Sequence, residues 1–183
     1  MQDLSLHILD LIQNSIAADA SHIELTIYED KDKNWLIVDI EDNGKGMDET
    51  AMRRATDPFY TTRSTRKVGL GLPLFTAMAQ RCGGDVVLES IKGKGTRIKS
   101  GFQLNHIDRP PFGNLEDTIT TLILCNPKIE FVYIHKVNND EFKLDTRDIR
   151  QVIGDIPIEH PEIINWIKSY IKDGLKEING GVQ

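Results

Sequence analysis

Hydrophobic positions along the first half of the chain follow a helical period and then a strand period. Across residues 3 to 19 apolar side chains recur every three or four positions, and Asp3 stands where a helix N-cap is expected. The runs HIELTIYE and NWLIVDIE follow, joined by the polar DKDK. Such a pair predicts an antiparallel hairpin, and the apolar stripe predicts that one face of the preceding helix belongs to the core.

Polar and glycine-rich segments separate the next elements. After the turn DNGKGM, the segment DETAMRRA predicts a short helix with an acidic first turn. Residues 56 to 68 have almost no apolar period, which predicts a long loop that serves as a lid. The stretch GLGLPLFTAMAQRCGG predicts a helix with Pro73 in its first turn, and DVVLESI with TRIKSGFQL predicts a second hairpin.

The pattern changes after about residue 105, at the proline-bearing connector NHIDRPPFGN. Beyond it we predict a helix capped by Asn114, a hairpin, a short helix and an amphipathic helix at about 161 to 178. We therefore expect two parts: residues 1–104, and a helix-hairpin-helix C-terminal extension, residues 105–183, that packs on the same sheet.

Composition narrows the function classes. The 183 residues carry a formal charge of -6, which argues against a nucleic-acid partner, and Cys82 and Cys125 form no metal or disulfide pattern. The start MQDLSLHILDLIQ has no basic leader and no long apolar span, so we expect a cytoplasmic protein without a membrane anchor.

The first helix carries a candidate metal ligand and a candidate base. Asp10 and Asn14 are four positions apart and therefore neighbours on one helix face. The amide oxygen of Asn14 suits Mg²⁺, which prefers oxygen ligands, and the Asp10 carboxylate could orient or deprotonate a nucleophile.

The turn DNGKGM suits a flat ring that carries an amine. The Asp42 carboxylate can accept a hydrogen bond from an exocyclic amine, and Met47 offers a soft apolar wall. Glycines Gly44 and Gly46 let the backbone approach a ring without a Cβ. We interpret the second glycine as serving close approach to the ring rather than the turn.

Two further glycine-rich segments suit the rest of a nucleotide. In KVGLGL, residues Gly69, Leu70, Gly71 and Leu72 open a helix, where unpaired backbone N–H groups favour phosphate. The lid could add the charges of Arg63, Arg66 and Lys67. In GKGT, Thr96 could bring a hydroxyl toward the base and the cation.

The order of these motifs resembles that of the GHKL ATPases, which include type II topoisomerases, heat-shock chaperones, histidine kinases and MutL mismatch-repair proteins. The resemblance covers about residues 4 to 104, and its last three stretches look most like a histidine-kinase catalytic domain. The matching stretches are LDLIQNSIAADA, DNGKGM, DPFYTTRS, GLGLPL and CGGDVVLESIKGKGT. The segment that follows residue 105 is similar to the one after the ATP site of MutL proteins.

The resemblance implies an α+β fold of the Bergerat type, a two-layer sandwich with a mixed, mostly antiparallel sheet covered by helices on one face. It implies ATP and Mg²⁺ as cofactors, with Asn14 as the metal ligand and Asp42 on the adenine amine. It places Gly44 and Gly46 along the base and Gly69 and Gly71 around the phosphates. It implies that Thr96 supports a water-mediated contact with adenine. Asp10 stands where many members carry a glutamate as general base, and its side chain is one methylene shorter.

Several functions stay open from the sequence. Only nine residues precede Asp10, so we expect no phosphoacceptor helix pair of its own and either phosphotransfer to a partner protein or slow ATP hydrolysis. The alternative is an ATP-gated, MutL-like interaction switch with little turnover. The C-terminal helix packs on its own domain or forms a homodimer. DNA binding is the weakest alternative, because residues 105 to 183 hold nine basic and thirteen acidic side chains.

Overall fold

The computed structural model describes residues 3–56 and 71–180. Nearly all of the predicted loop, including Arg63, Arg66 and Lys67, lies outside these residues, as do Gly69 and Leu70. The described helices are α1 Leu4–Ala17, α2 Glu49–Thr56, α3 Gly71–Arg81, α4 Leu115–Cys125, α5 Thr146–Ile153 and α6 Pro161–Ile178. The described strands are β1 His22–Asp30, β2 Trp35–Asp42, β3 Asp85–Ile91, β4 Gly95–Gln103, β5 Glu130–Val137 and β6 Asp140–Asp145.

The strands form one mixed sheet in the order β3-β4-β2-β1-β5-β6. Strands β1 and β5 are parallel, and the other neighbouring pairs are antiparallel. The register aligns Asp42 of β2 with Thr96 of β4, and Thr96 with Ser90 of β3. Three side chains from separate strands therefore meet at one end of the sheet.

Helices cover one face of this sheet. Helix α1 contacts β2, α3 contacts β3 and β4, and α6 contacts β5 and β6. Burial alternates along β1 and β2, as expected when one face of a sheet packs on helices and the other does not. The core includes Leu4, Ile8 and Leu11 of α1, which are fully buried. The predicted α+β class and two-layer arrangement are confirmed.

The connector and the following elements pack directly on the first half of the chain. The amides of Leu4 and Ser5, at the start of α1, donate to the carbonyls of Pro111 and Phe112 at 2.8 and 2.9 Å. Helix α4 packs against α1, and β5 continues the sheet beside β1. A domain boundary at residue 104 stays a prediction, but the described sheet runs across it without a break.

A buried polar network joins β1 to β5. His135 Nε2 lies 2.8 Å from Glu29 Oε1, and His135 Nδ1 lies 2.7 Å from the Tyr133 hydroxyl. Burial raises the pKa of Tyr133 well above its ordinary value, so this hydroxyl stays protonated. The network supplies hydrogen-bond partners for polar groups that water does not reach.

The last helix follows its predicted stripe. Ile167, Ile171 and Ile178 of α6 are buried against the domain, as an amphipathic helix requires. Trp166 is 51% exposed, and its ring stacks on that of Tyr170 at a centroid distance of 5.0 Å. A homodimer through this helix stays a prediction.

Within residues 3–56 and 71–180, none of the helices has both the length and the apolar character that crossing a membrane requires.

Candidate functional site

A cavity of about 440 Å³ lies between α1, α2, the start of α3 and the ends of β2, β3 and β4. Its volume falls in the range of sites that bind small molecules. Its walls are mainly aliphatic, with a few polar groups. The lining residues are Leu11, Asn14, Ser15, Ala17, Ala18, Asp42, Lys45, Gly46, Met47, Ala51, Arg54, Ala55, Leu72, Leu88, Thr96 and Ile98.

The cavity brings together six of the residues that the sequence singles out. These are Asn14, Asp42, Gly46, Met47, Leu72 and Thr96. Gly44, Gly71 and Asp10 do not line it. Gly71 begins α3 beside α1, where a Cβ added to it would lie 3.4 Å from the Asp10 Cβ and 4.0 Å from Asn14 Nδ2. The remaining predicted residues, Arg63, Lys67, Gly69 and Leu70, lie outside the described part of the chain.

Asp42 is held by two hydrogen bonds in a buried position. Its side chain accepts a hydrogen bond from the Ser15 hydroxyl at 2.6 Å and another from the Gly44 amide at 2.8 Å. Each carboxylate oxygen can accept more than one hydrogen bond, so Asp42 keeps acceptor capacity on the cavity side. This suits a ligand that carries an amine, as the sequence predicts.

Ser90, on β3, makes the hydrogen bonds that hold the strand ends together beside Thr96. Its hydroxyl oxygen accepts from the Met47 amide at 2.8 Å and donates to the Gly95 carbonyl at 3.0 Å. It also lies 2.9 Å from the hydroxyl oxygen of Thr96. Ser90 thus connects the DNGKGM turn to the β3–β4 hairpin.

The structure corrects the interpretation of the second glycine. Gly46 has φ +60, and a Cβ there would overlap the Ile91 carbonyl oxygen of the hairpin. A Cβ at Gly44 would lie 2.7 Å from the Ala18 carbonyl oxygen. Gly46 therefore also serves the turn and its contact with the protein's own backbone, and its approach to a bound ring stays a prediction. The sequence alone did not reveal this contact, because the hairpin is far away along the chain.

Asp10 and Asn14 occupy the predicted face of α1. Asp10 is exposed, and Asn14 is partly buried at the cavity wall. One turn before Asp10, the His7 ring lies 6.0 Å from that of Phe75. Burial lowers the pKa of His7, and the nearby carboxylates of Asp10 and Asp3 partly oppose that effect. His7 is thus a neutral, half-buried packing residue at neutral pH.

Several residues at or beside the cavity were not predicted from the sequence. Lys45 and Arg54 add positive charge to the cavity wall, and Ser15 and Ser90 hold its polar end. The position of Ser15 could have been predicted, because it follows Leu11 by four positions and therefore lies on the same helix face. Ser90 alternates with Leu88 on one face of β3, a weaker signal that needs the strand register.

The residues present fit a magnesium nucleotide. The described residues include no group of three histidine, cysteine, aspartate or glutamate side chains that could hold a metal ion. A cation beside Asn14 would therefore draw further oxygen ligands from phosphate and water, which is how Mg²⁺ is usually bound. Aliphatic walls beside a buried carboxylate suit a purine base.

Comparison with protein families gives a match over residues 2–106 to the model described as histidine kinase-, DNA gyrase B-, and HSP90-like ATPase. This segment contains α1, the cavity and the first four strands. It covers more than half of the chain.

Curated relatives resemble the same part of the chain. A putative sensor protein of Shewanella frigidimarina is 34% identical over 109 residues, which are 58% of this chain and 17% of that protein. Sporulation kinase E of Bacillus subtilis is 32% identical over 60% of this chain and 14% of its own length. Sensor histidine kinase WalK of Bacillus subtilis is 31% identical over 53% of this chain and 17% of its own length. The matched segment thus spans less than a fifth of each relative.

Among solved structures, the crystal structure of the N-terminal domain of a DNA repair protein matches with a TM-score of 0.53 and 17% identity. It covers 86% of this chain and 59% of that chain, so the likeness in fold extends past residue 106. The family match covers the cavity and the elements that build it. The chain belongs to the family of histidine kinase-, DNA gyrase B-, and HSP90-like ATPases.

Proposed function

We propose that this protein binds Mg-ATP in the cavity and transfers the γ-phosphate to a partner protein or hydrolyses ATP slowly. The observation that carries the proposal is the cavity itself. It gathers Asn14, Asp42, Gly46, Leu72 and Thr96 from four separate stretches of the sequence. The family to which the chain belongs supports ATP as the nucleotide.

The polar end of the cavity would bind adenine. Asp42 would accept a hydrogen bond from the exocyclic amine, and Thr96 would contact the same edge through water. The aliphatic side chains of Leu11, Leu88 and Ile98 line the cavity and would pack on the faces of the ring.

The phosphates would lie toward the start of α3. The unpaired backbone N–H groups there and the helix dipole favour negative charge. Asn14 would hold Mg²⁺, which neutralises charge on the phosphate oxygens when bound. Gly69 and Leu70, with Arg63 and Lys67 from the lid, are proposed to complete this part of the site.

Asp10 is the proposed general base. It is exposed on α1 next to Gly71, so it would lie beside the phosphates. A hydroxyl or a water gains roughly 100- to 10,000-fold in rate from a positioned base. Neutral imidazole needs that help less, so Asp10 favours water or a hydroxyl as acceptor.

The relatives support a phosphotransfer role more directly. Sporulation kinase E and sensor histidine kinase WalK are both named as kinases. Because the match spans 14% and 17% of those proteins, the acceptor and the partner of this chain are proposals. A cytoplasmic location stays a prediction from the sequence.

Variants of Asn14 and Asp10 test the proposed roles. We expect Asn14→Ala to lower the Mg²⁺-dependent affinity for an ATP analogue by about tenfold or more, since a metal ligand is lost. Asp10→Asn should keep the affinity but lower turnover by roughly 100-fold or more. Calorimetry measures the binding, and release or transfer of labelled γ-phosphate measures the turnover.

A control and a contrary result accompany each variant. Asp173→Asn changes another exposed helical carboxylate, on α6, and should leave both quantities unchanged. An affinity that Asn14→Ala leaves intact would remove the metal assignment. Turnover that survives Asp10→Asn would show that another group acts as base. Label found on a copurifying protein rather than on free phosphate would favour the kinase over the hydrolase.

A second candidate function is an ATP-gated interaction switch. Helix α2 contributes Ala51, Arg54 and Ala55 to the cavity wall, yet none of its residues is buried. A ligand in the cavity would cover part of α2 and alter a surface that a partner could recognise. This second function needs little or no turnover.

A further inference from the structure

Three hydroxyl groups lie at the polar end of the cavity, and each takes part in a hydrogen bond within the protein. A serine or threonine hydroxyl has one hydrogen to donate and two lone pairs with which to accept. Ser15 and Thr96 lie next to Asp42, and Ser90 lies next to Thr96 at the same end. Which way each hydrogen points decides whether the cavity offers donors or acceptors to a base.

The Ser15 hydrogen points at Asp42. The two oxygen atoms lie 2.6 Å apart, a short distance typical of a hydroxyl bound to a carboxylate. Ser15 is 4% exposed and Asp42 is 7% exposed, so water does not compete for this bond. Together with the Gly44 amide, Ser15 fixes the orientation of the carboxylate plane.

The Ser90 hydrogen points at the Gly95 carbonyl, at 3.0 Å. Ser90 has no second hydrogen, so the hydrogen in its 2.9 Å contact with Thr96 comes from Thr96. Ser90 then accepts from both the Met47 amide and Thr96, which uses its two lone pairs. The Thr96 oxygen keeps only lone pairs for the cavity.

We propose that Ser15 and Ser90 are positioning residues that make the polar end of the cavity accept hydrogen bonds only, and that they thereby select a 6-amino purine over a 6-oxo purine. This proposal rests on the proposed function, because it names the residues that set the base preference of the ATP site. Neither serine touches the reacting phosphate.

The selection follows from unmatched hydrogen bonds. An amino group at position 6 of the purine donates to an oriented carboxylate. An oxygen at that position faces the lone pairs of Asp42 and Thr96 and finds no donor hydrogen on either side chain. A site built around a ligand N–H disfavours an analogue that lacks it, because buried polar groups are left unpaired.

The test compares two nucleotides on four proteins: wild type, Ser15→Ala, Ser90→Ala and the control Ser5→Ala. Calorimetry with Mg²⁺ measures the affinity of the β,γ-imido analogue of ATP and of its inosine counterpart. For Ser15→Ala we expect the adenosine-to-inosine affinity ratio to fall roughly tenfold, as for loss of one hydrogen bond to a charged group. For Ser90→Ala the ratio should also fall, because the freed Thr96 hydrogen can then donate to the 6-oxygen.

Ser5→Ala is the matched control. Ser5 lies on the same helix, is 2% exposed, and donates to Asp3 Oδ1 at 2.8 Å, away from the cavity. Its loss should lower stability without changing the affinity ratio. A purely structural role for Ser15 would give the same pattern as Ser5.

The outcomes separate the two proposals. If the wild-type protein binds neither nucleotide, the proposed function is wrong, and the base selection with it. If it binds the adenosine analogue and Ser15→Ala keeps the wild-type ratio, the role of Ser15 is overturned while the ATP site stands. Should Ser15→Ala fail to fold, Ser90→Ala decides: an unchanged ratio overturns the acceptor-only arrangement, and a lowered ratio supports it.

Discussion

At Gly113 the absence of a side chain lets the connector close over the start of α1. Its φ is +73, and a Cβ there would overlap the Asp3 carboxylate. Asp3 caps α1 by accepting hydrogen bonds from the Leu6 amide and the Ser5 hydroxyl. A side chain at residue 113 would therefore displace the cap of the helix that carries Asn14.

We predict that Gly113→Ala lowers the free energy of unfolding by about 2 kcal/mol or more. A non-glycine residue at positive φ costs about 1 kcal/mol, and displacement of the Asp3 cap costs about 1 kcal/mol more. Thermal or denaturant unfolding measures the change. Gly154→Ala is the control, because residue 154 has φ +59 and nothing within 4 Å of an added Cβ, so it should show the φ cost alone. Equal losses for the two variants would mean that the contact with Asp3 adds nothing.

Single residues also show the limit of what sequence can predict. Asp42 and Asn14 stand out because their residue types and neighbours form local motifs. Ser15 bonds to Asp42 across 27 positions, and the role of Gly46 depends on the carbonyl of Ile91 in another hairpin. Such contacts depend on the packing of elements, which no local pattern encodes.

Among the described helices, α2 is the one without a buried residue. It packs on α3 and lines the cavity. Elements with little buried apolar surface open at low free-energy cost. Helix α2 is therefore the described element whose order a bound nucleotide would change most.

We predict that an ATP analogue with Mg²⁺ slows amide hydrogen exchange in Glu49–Thr56 by about tenfold or more, since a saturating ligand stabilises the closed form. Helix α5, Thr146–Ile153, also has eight residues but does not line the cavity, so its exchange should stay the same. An exchange rate in α2 that does not change when the nucleotide binds would count against the switch. It would leave the proposed ATPase function open.

Elements with a clear hydrophobic period were predictable. The last helix runs from Pro161 to Ile178, as predicted. At the start of α4, the Asp117 amide donates a hydrogen bond to Asn114, the predicted N-cap of that helix. The sequence did not reveal that β5 pairs in parallel with β1. That pairing joins residues about a hundred positions apart, and no local pattern in the sequence encodes a partner at that distance.

In the molecule as a whole, the described sheet continues from the family-matched residues 2–106 into the residues that follow. The connector closes over α1, β5 extends the sheet, and α4 packs on α1. The part of the chain outside the family match thus supports the helix that carries Asp10 and Asn14. The central claim is that this supported cavity binds the adenine of ATP through Asp42.

The most direct measurement is the affinity of an ATP analogue with Mg²⁺ for wild type, Asp42→Asn and Asp39→Asn. Asp39 lies on the same strand but pairs with Arg97 at 2.7 Å instead of lining the cavity. We predict that Asp42→Asn lowers the affinity roughly tenfold to a hundredfold, as for loss of a buried hydrogen bond to a charged group, and that Asp39→Asn leaves it unchanged. Equal affinity in all three proteins, or no binding by wild type, would contradict the account.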